Sequence, residues 1–194
     1  MNGFSLFKRL KLAKLLADNN KLIYSMITLR AFKRHDTCQI VTILNDQQVA
    51  RYLSSKIPFP YTQADAQWWI NHGSKFGIIK AIEVDGLCVG CIGVTPGEFE
   101  YSRNGEIGYW LSQQYWGQGI ITQAIKLICK EAFDSSELNR IFATVFSGNI
   151  GSIKALTKAE FSLEAQLKQA IYKNNQFYDA IILSLLKNHQ PNLN

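Results

Sequence analysis

The stretch "GYWLSQQYWGQGI", residues 108–120, decides the fold of this 194-residue chain. An apolar, strand-like run over residues 107–111 ends in a polar turn with two glycines, Gly117 and Gly119, and a long helical pattern follows. A helix that begins near Gly119 leaves its first backbone N–H groups without intrahelical acceptors, and its dipole adds partial positive charge there. The stretch therefore predicts a strand, a turn and a helix whose N-terminus is suited to phosphate, and to a pyrophosphate in particular.

The two glycines have a second explanation that the sequence leaves open. A turn between a strand and a helix often needs positive φ, and glycine meets that need without any ligand. Two named phosphate motifs are excluded, because Thr122 stands where G-x-G-x-x-G has its third glycine and no G-K-[ST] follows the turn. Backbone geometry and phosphate binding therefore remain alternatives.

The composition indicates one well-buried domain. With 47% hydrophobic residues, a chain of 194 residues is long enough for one core and short for two. No stretch approaches the ~18 consecutive apolar residues of a membrane span. Lysines interrupt the apolar positions of the N-terminus, which is unlike a secretory signal. We therefore expect a cytoplasmic protein without a membrane span.

The net charge of +6 is distributed unevenly along the chain. Residues 1–26 hold five basic side chains against Asp18, which leaves a net charge of only +2 for the rest of the chain. We therefore expect no nucleic-acid partner for the globular part. Residues 1–25 are interpreted as a basic helical extension, with a helix over residues 4–17. Packing on the domain, disorder, and docking to a membrane surface or a partner remain alternatives for this extension.

The four cysteines indicate neither a disulfide framework nor a metal centre. Cys88 and Cys91 form a C-x-x-C pair on one predicted strand, where alternation places side chains three residues apart on opposite faces. Such a pair could hardly share a metal, and no second Cys/His pair lies nearby in the sequence. We therefore expect buried thiols and no metal, with His35, His72 and His189 at the surface.

Hydrophobic periodicity predicts a single α/β domain. Two hairpins are indicated, one closed by Asp85-Gly86 and one around residues 174–176. Thr62 and Asp65 have the spacing of a capping box at the start of a helix. The predicted order is β-α-α-β-β-β-α-β-α-β-β, which indicates a mixed, mostly antiparallel central sheet flanked by helices.

Several of these segments resemble one known family in the right order. "QYWGQG", residues 114–119, matches the Q/R-x-x-G-x-G/A motif of the GNAT superfamily of acetyl-CoA-dependent N-acetyltransferases. "GEIGYWLSQQYWGQGI" followed by "RIFATVFSGNIGSIKALTKAEF" is similar to its RimJ/RimL branch, the ribosomal-protein alanine acetyltransferases. The similarity extends from about residue 27 to residue 186. It implies an acetyltransferase domain over residues 26–188, followed by a C-terminal tail, residues 189–194.

The resemblance implies a GNAT-type domain in which the fourth and fifth strands splay apart. The pantetheine arm of acetyl-CoA would lie in that gap and pair with backbone, and its pyrophosphate would lie on the glycine turn with the hydroxyl of one threonine nearby. Asn149 matches the family asparagine that bonds the pantetheine, and Ser152 matches a serine near the thioester sulfur. The residues implied for coenzyme binding are Trp110, Leu111, Gln114, Gly117, Gln118, Gly119, Ile120, Thr122, Asn149 and Ser152.

The implied activity is transfer of an acetyl group from acetyl-CoA, as co-substrate, to a primary amine. The resemblance favours a protein or peptide N-terminal amine as the acceptor. Small amines such as polyamines or amino sugars, and a non-catalytic coenzyme- or peptide-binding module, remain alternatives. We expect Phe59, Tyr61 and Tyr178 to line the acceptor entrance, although ordinary packing explains these aromatic side chains equally well. A monomer and a homodimer are both compatible with the sequence.

Amide formation from a thioester requires a neutral amine and a stabilised leaving thiolate. Glu106 is the one carboxylate on the strand beside the implied thioester, so we expect it to accept the ammonium proton, directly or through water. We expect the Ser152 hydroxyl to hydrogen-bond the departing sulfur. Each residue has a plainer explanation: Glu106 as a solvated residue at a strand end, and Ser152 as a favoured residue of a helix N-terminus.

Two positions depart from the family pattern. Leu156 occupies the position at which many members have a tyrosine acid, seven residues after the asparagine, so no tyrosine acid is expected there. Glu160 stands where a glycine commonly gives the helix a left-handed end, and that conformation would cost a glutamate roughly 1 kcal/mol. The helix is therefore expected to end differently, which leaves the start of the following strand open.

Overall fold

The computed structural model describes residues 27–187 as one seven-stranded sheet with helices on both faces. The predicted extension 1–25, its helix over residues 4–17, and the tail 189–194 lie outside the described residues. The strands are β1 (Ile27–Arg30), β2 (Ile78–Val84), β3 (Leu87–Pro96), β4 (Asn104–Leu111), β5 (Arg140–Phe146), β6 (Ser162–Lys173) and β7 (Gln176–Leu186). The α-helices are α1 (Thr37–Leu44), α2 (Gln47–Ala50), α3 (Gln63–Asn71), α4 (Ile120–Ser135) and α5 (Ile150–Lys158).

The element order follows the predicted order, with the four-residue helix α2 as an addition. The strand order is β1-β2-β3-β4-β5-β7-β6, and only the β4–β5 pair is parallel. That pair extends from Asn104 opposite Arg140 to Glu106 opposite Phe142 and then stops, although both strands continue. The predicted mixed, mostly antiparallel sheet and its splay between the fourth and fifth strands are therefore confirmed.

Each face of the sheet carries its own core. Helices α4 and α5 cover one face, into which Ile107 and Leu111 of β4 point. Helices α1 and α3 cover the other face, where Trp110 is buried. Because side chains alternate along a strand, Glu106 shares the Trp110 face, and Tyr109 packs on the face of Ile107. Strand β4 therefore presents different side chains to the two sides of the gap.

Two local sequence signals act in the structure as predicted. At the start of α3, the Asp65 N–H donates to Thr62 Oγ1 at 3.2 Å and the Thr62 N–H donates to Asp65 Oδ2 at 2.8 Å, which is a capping box. The hairpin between β2 and β3 turns through Asp85 and Gly86, both at positive φ.

Within residues 27–187, no helix is long and apolar enough to span a membrane.

The prediction that Cys88 and Cys91 lie on opposite faces is wrong. The register of β2 and β3 shifts between Ile82 and Glu83, so that Val89 is an extra residue on β3. One extra residue reverses the alternation, and both thiols are buried in the core beneath α1 and α3. Burial raises the pKa of Cys88 to about 12 and that of Cys91 further, so both stay protonated. Among the described residues there is no cluster of metal-binding side chains.

Helix α5 ends in the motif that a glycine usually permits. Glu160 has φ 73°, and its N–H donates to the Thr157 carbonyl at 3.0 Å. The N–H of Phe161 donates to the Leu156 carbonyl at 3.1 Å, which completes a Schellman motif. The expectation that the helix ends differently is therefore wrong: the helix ends in the usual way, and Glu160 carries the strain of the left-handed conformation.

Candidate active site

The gap between β4 and β5 is the centre of the candidate site. Beyond Glu106, β4 keeps a continuous register with β3 up to Leu111, while its other edge has no strand partner. The Ser112 N–H donates to the Val89 carbonyl on the β3 side. Backbone groups alternate in direction along a strand, so those of Tyr109 and Leu111 face the gap. This free edge offers donors and acceptors to an extended ligand.

The two residues predicted to pair with pantetheine differ in their placement. The Leu111 carbonyl accepts the indole N–H of Trp116 at 2.9 Å, so the N–H of Leu111 is its remaining group toward the gap. The same alternation turns the backbone of Trp110 toward β3, and its side chain lies in the core beneath α1 and α3. The structure thus brings Leu111 to the gap and turns Trp110 away from it.

The glycine turn begins with a short 3₁₀ segment, Gln113–Tyr115. Gly117 has φ 74° and Gly119 has φ 78°, so both occupy the left-handed region. A Cβ at Gly117 would meet no atom within 4 Å, which means that backbone conformation rather than packing requires glycine there. The side-chain amide of Gln118 closes the turn by donating to the Gln114 carbonyl at 2.9 Å. Positive φ therefore accounts for both glycines, and phosphate binding needs separate support.

That support comes from the N-terminus of α4. Gly119 is its N-cap, without a side-chain cap, and the first intrahelical donor is the Gln123 N–H, which bonds the Gly119 carbonyl at 3.1 Å. Within the described part of the chain, the N–H groups of Ile120, Ile121 and Thr122 have no acceptor. Three free donors and a helix dipole next to an exposed turn suit a phosphate group, and the Thr122 hydroxyl lies in the same helical turn.

Asn149 and Ser152 meet at the N-terminus of α5. Asn149 is the N-cap, and its Oδ1 accepts the Ser152 N–H at 3.2 Å. The Nδ2 group of Asn149 has no acceptor among residues 27–187, so it remains free to donate to a ligand. Ser152 is half-buried in the first helical turn. The side chain of Asn149 thus has a structural task and one spare donor group.

The structure brings Tyr109 to this site, a residue that sequence reasoning missed. Its phenol oxygen lies 2.5 Å from Ser152 Oγ and 3.4 Å from the Ser152 carbonyl oxygen. Burial raises the pKa of Tyr109 to about 12, so the phenol stays protonated at neutral pH. Alternation along β4 could have placed Tyr109 on this face, but nothing in the sequence indicates its partner on a different element. Leu156 is buried in the core beneath α4 and α5.

Glu106 lies on the other face of the sheet, at the point where β4 and β5 part. It lines a cavity of about 340 Å³ together with Tyr101, Asn104, Arg140 and Phe142. Its side chain is exposed and has no hydrogen-bond or ion-pair partner among the residues that the structure describes. Glu106 is therefore a free carboxylate that can accept a proton or attract an ammonium group.

The positive charge in the same cavity is neutralised. Arg140 forms an ion pair with Glu164, which also accepts the hydroxyl of Ser184. Hydrogen bonds from Arg140 and Ser184 lower the pKa of Glu164. The guanidinium of Arg140 lies 4.9 Å from the ring centre of Phe142. The cavity therefore has one unpaired carboxylate and a guanidinium fixed by its own partners.

Two contacts hold the α2 region against the far side of the gap. The Lys173 ammonium, at the end of β6, donates to three carbonyls of the segment 50–53 at 2.6–3.2 Å. Desolvation lowers the pKa of Lys173. The Tyr52 hydroxyl donates to the Gly148 carbonyl at 3.1 Å, just before α5. The segment 50–53 is thereby tied to β6 and to the start of α5.

The aromatic residues expected at the acceptor entrance have different environments. Tyr61 is 7% exposed and belongs to the core beneath α1 and α3, so packing explains it. Tyr178 packs edge-on against Phe146, with ring centres 5.3 Å apart. Phe59 is 57% exposed. His35 and His72 are exposed as predicted, and His189 lies outside the described residues.

Comparison with known families identifies the class of protein. The family model described as "Acetyltransferase (GNAT) domain" matches residues 26–162, more than half of the chain. The chain therefore belongs to the GNAT acetyltransferase family, which confirms the resemblance to that family found in the sequence. It is an N-acetyltransferase by family.

Three comparisons give the range of its relatives. "Uncharacterized N-acetyltransferase p20" of Bacillus licheniformis is 31% identical over 170 residues, covering 83% of this chain and 93% of that protein. Spermidine N(1)-acetyltransferase of Escherichia coli K12 is 22% identical over 178 residues, covering 84% of this chain and 87% of its own. The structure of "RimL- Ribosomal L7/L12 alpha-N-protein acetyltransferase in complex with Coenzyme A" has the same fold, with a TM-score of 0.73 at 19% identity, over 84% of this chain and 94% of its own.

Proposed function

We propose that this protein transfers the acetyl group of acetyl-CoA to the N-terminal amine of a protein or peptide. The observation that carries the proposal is the gap between β4 and β5. It opens at Glu106, has a free strand edge on β4, and leads to the free N–H groups of α4. This arrangement fits a long ligand with an anionic end and a reactive end, as a coenzyme thioester has.

The residues present fit coenzyme A at three points. The N–H groups of Ile120, Ile121 and Thr122 suit its pyrophosphate. The backbone N–H of Leu111 and the Nδ2 of Asn149 suit the amides of its pantetheine arm. A solved protein of the same fold contains coenzyme A, which supports this assignment. Acetyl-CoA supplies an activated acyl group as a thioester, and the protein positions it.

The proposed mechanism uses the two faces of the sheet separately. On the cavity face, Glu106 accepts the proton of the incoming ammonium, directly or through water, so that a neutral amine attacks. On the other face, Ser152 donates its hydroxyl proton in a hydrogen bond to the departing sulfur. Holding the amine and the thioester together can contribute roughly 7–11 kcal/mol of the barrier reduction in favourable cases.

A polypeptide amine is proposed as the acceptor on the strength of the solved RimL protein, whose name gives a ribosomal protein α-amine. The cavity at Glu106 is bordered by the turn Phe99–Tyr101, whose two aromatic side chains are 83% and 71% exposed and available to an extended chain. A polyamine is the competing acceptor. The relative that acts on spermidine and the unpaired charge of Glu106 both favour it.

Release of free thiol from acetyl-CoA tests these acceptors against each other. The purified protein would be offered peptides with a free α-amine, the same peptides with that amine blocked, spermidine, and amino sugars. We expect thiol release with the free peptides and none with the blocked ones. Turnover with spermidine or an amino sugar and with no peptide would contradict the peptide acceptor. Coenzyme binding without thiol release from any amine would indicate a binding module.

A further inference from the structure

The proposed mechanism leaves one partly buried polar contact unexplained. Tyr109 extends from the part of β4 that has no partner on the β5 side, and Ser152 lies in the first turn of α5. Their hydroxyl oxygens lie 2.5 Å apart. The Tyr109 hydroxyl is also 3.4 Å from the Ser152 carbonyl oxygen. This contact joins a strand and a helix on opposite sides of the gap, and one of its two partners is the serine proposed to contact sulfur.

The number of protons available shows which hydroxyl donates and which accepts in this contact. A hydroxyl donates one proton and accepts through its lone pairs. If Ser152 donated its proton to Tyr109, no proton would remain for a leaving sulfur. Tyr109 keeps its own proton at neutral pH, because burial raises its pKa to about 12. A thiolate in the gap therefore favours a chain from the Tyr109 hydroxyl to Ser152 Oγ and from Ser152 to sulfur, in which each bond strengthens the next.

We propose that Tyr109 is a positioning residue that holds the Ser152 hydroxyl as a donor toward the leaving sulfur. The proposal deepens the proposed acetyl transfer and rests on it. Without the phenol, the serine hydroxyl can turn back to a backbone carbonyl, as serines in helices do.

Turnover of five variants gives the first readout. Tyr109→Phe and Ser152→Ala should each lower kcat by about 10-fold, with KM for acetyl-CoA changed by less than about twofold. The double variant should be no slower than Ser152→Ala alone, because the two residues act as one unit. Ser152→Thr keeps a hydroxyl and should retain most of the activity. The control Tyr172→Phe removes an exposed hydroxyl at the β6–β7 turn and should leave turnover unchanged.

Two outcomes of the comparison between the single variants and the double variant would contradict the positioning role. Unchanged turnover in Tyr109→Phe would mean that the phenol does nothing for the leaving group. Losses that multiply in the double variant would mean that Tyr109 acts independently of Ser152, as a residue that only supports packing would.

The second readout is a pH titration of the thiol of bound coenzyme A, monitored by the ultraviolet absorbance of the thiolate. This measurement needs no acceptor amine. A donor to the thiolate should lower the midpoint by about one pH unit relative to free coenzyme A. Tyr109→Phe and Ser152→Ala should both raise it to the same value. A midpoint unaffected by Tyr109→Phe overturns the positioning role even where acetyl transfer is observed. The midpoint could be lowered in the wild type and return to that of free coenzyme A in both variants, while the protein acetylates no amine. That outcome would support the positioning role and contradict the proposed function.

Discussion

At the scale of single residues, Glu106 and Ser152 lie on different faces of the sheet. Glu106 is exposed in the cavity, while Ser152 contacts Tyr109 on the side of α4 and α5. An amine entering from the cavity and a sulfur near α5 would therefore meet in the gap between them. The exposure of Glu106 agrees both with a proton acceptor and with a solvated residue at a strand end. The activity of a Glu106 variant decides between these two explanations.

Glu106→Gln keeps the shape of the side chain and removes its charge. If Glu106 accepts the ammonium proton, kcat/KM should fall by at least ~10² near neutral pH. Part of the loss should be recovered at higher pH, where the amine is already neutral. The pH profile of kcat/KM measures both effects.

The control for this change is Glu100→Gln, which removes an exposed carboxylate from the turn beside the same cavity. It should leave kcat/KM within about twofold, because a surface charge there contributes little. Near-full activity of Glu106→Gln at pH 7 would mean that positioning and solvent-borne proton transfer suffice, and that Glu106 is a solvated strand-end residue.

Glu160 gives a prediction about stability at a single residue. Glu160→Gly should raise the free energy of unfolding by about 0.5–1 kcal/mol, because glycine adopts the left-handed conformation without strain. Glu160→Gln keeps the strain and removes the exposed ion pair with Lys126, so it should change stability by less than about 0.5 kcal/mol. Urea unfolding measures both values. Destabilisation by the glycine variant would contradict the assignment of strain to this residue.

At the scale of elements, the sequence predicts those features that depend on neighbouring residues. The capping box of α3 and the Asp85-Gly86 turn are local, and both are confirmed. The faces of Cys88 and Cys91 depend on a bulge at Val89, which is set by pairing with β2 and has no local signature. The contact of Tyr109 with Ser152 likewise joins residues 43 apart in sequence, which periodicity alone cannot pair.

The N-terminus of α4 gives the prediction at this scale. At ~100 times its dissociation constant, acetyl-CoA should stabilise the fold by about 2.7 kcal/mol, because it binds only the folded state. Gly119→Val should remove most of this gain by straining the turn and blocking approach to the free N–H groups. The thermal shift on adding acetyl-CoA measures the gain.

Gly86→Val is the control for the effect of backbone strain without a change at the proposed phosphate site. Gly86 also has positive φ, at 81°, and a Cβ there would meet no atom within 4 Å. This variant should lose stability in the absence of ligand, as Gly119→Val does, but keep the full thermal shift. An undiminished shift in Gly119→Val would contradict the assignment of the phosphate site.

At the scale of the whole molecule, a buried charge network joins β1 to β2 and α1. Asp36, 1% exposed, accepts two hydrogen bonds from Arg30 at 2.7 and 2.9 Å, and Arg30 also contacts Glu83. Burial opposes ionisation of Asp36, but hydrogen bonds from Arg30 and from the Lys33 N–H outweigh it and lower its pKa. This network holds β1 and the start of α1 against β2.

Asp36→Asn should lower the free energy of unfolding by about 3 kcal/mol at pH 7, because it breaks a buried ion pair while Glu83 still contacts Arg30. A depressed pKa contributes stability above the unfolded value of about 3.9 that is lost as pH falls through the folded value. The difference between the wild type and the variant should therefore narrow below about pH 4. Urea unfolding across this pH range measures it.

The control Asp134→Asn removes an exposed ion pair with Lys130 and should change stability by less than about 0.5 kcal/mol. A difference between Asp36→Asn and the wild type that stays constant down to pH 2 would show that ionisation of Asp36 does not carry the effect.

The most direct test of the central claim is the position of the transferred acetyl group. A peptide with both a free α-amine and an internal lysine would be incubated with acetyl-CoA and the protein, and its fragments analysed by mass spectrometry. We predict that the acetyl group is found on the α-amino nitrogen and that Glu106→Gln slows its appearance by at least ~10². Acetylation of the lysine alone, or no acetylation of any peptide while spermidine is acetylated, would contradict the claim.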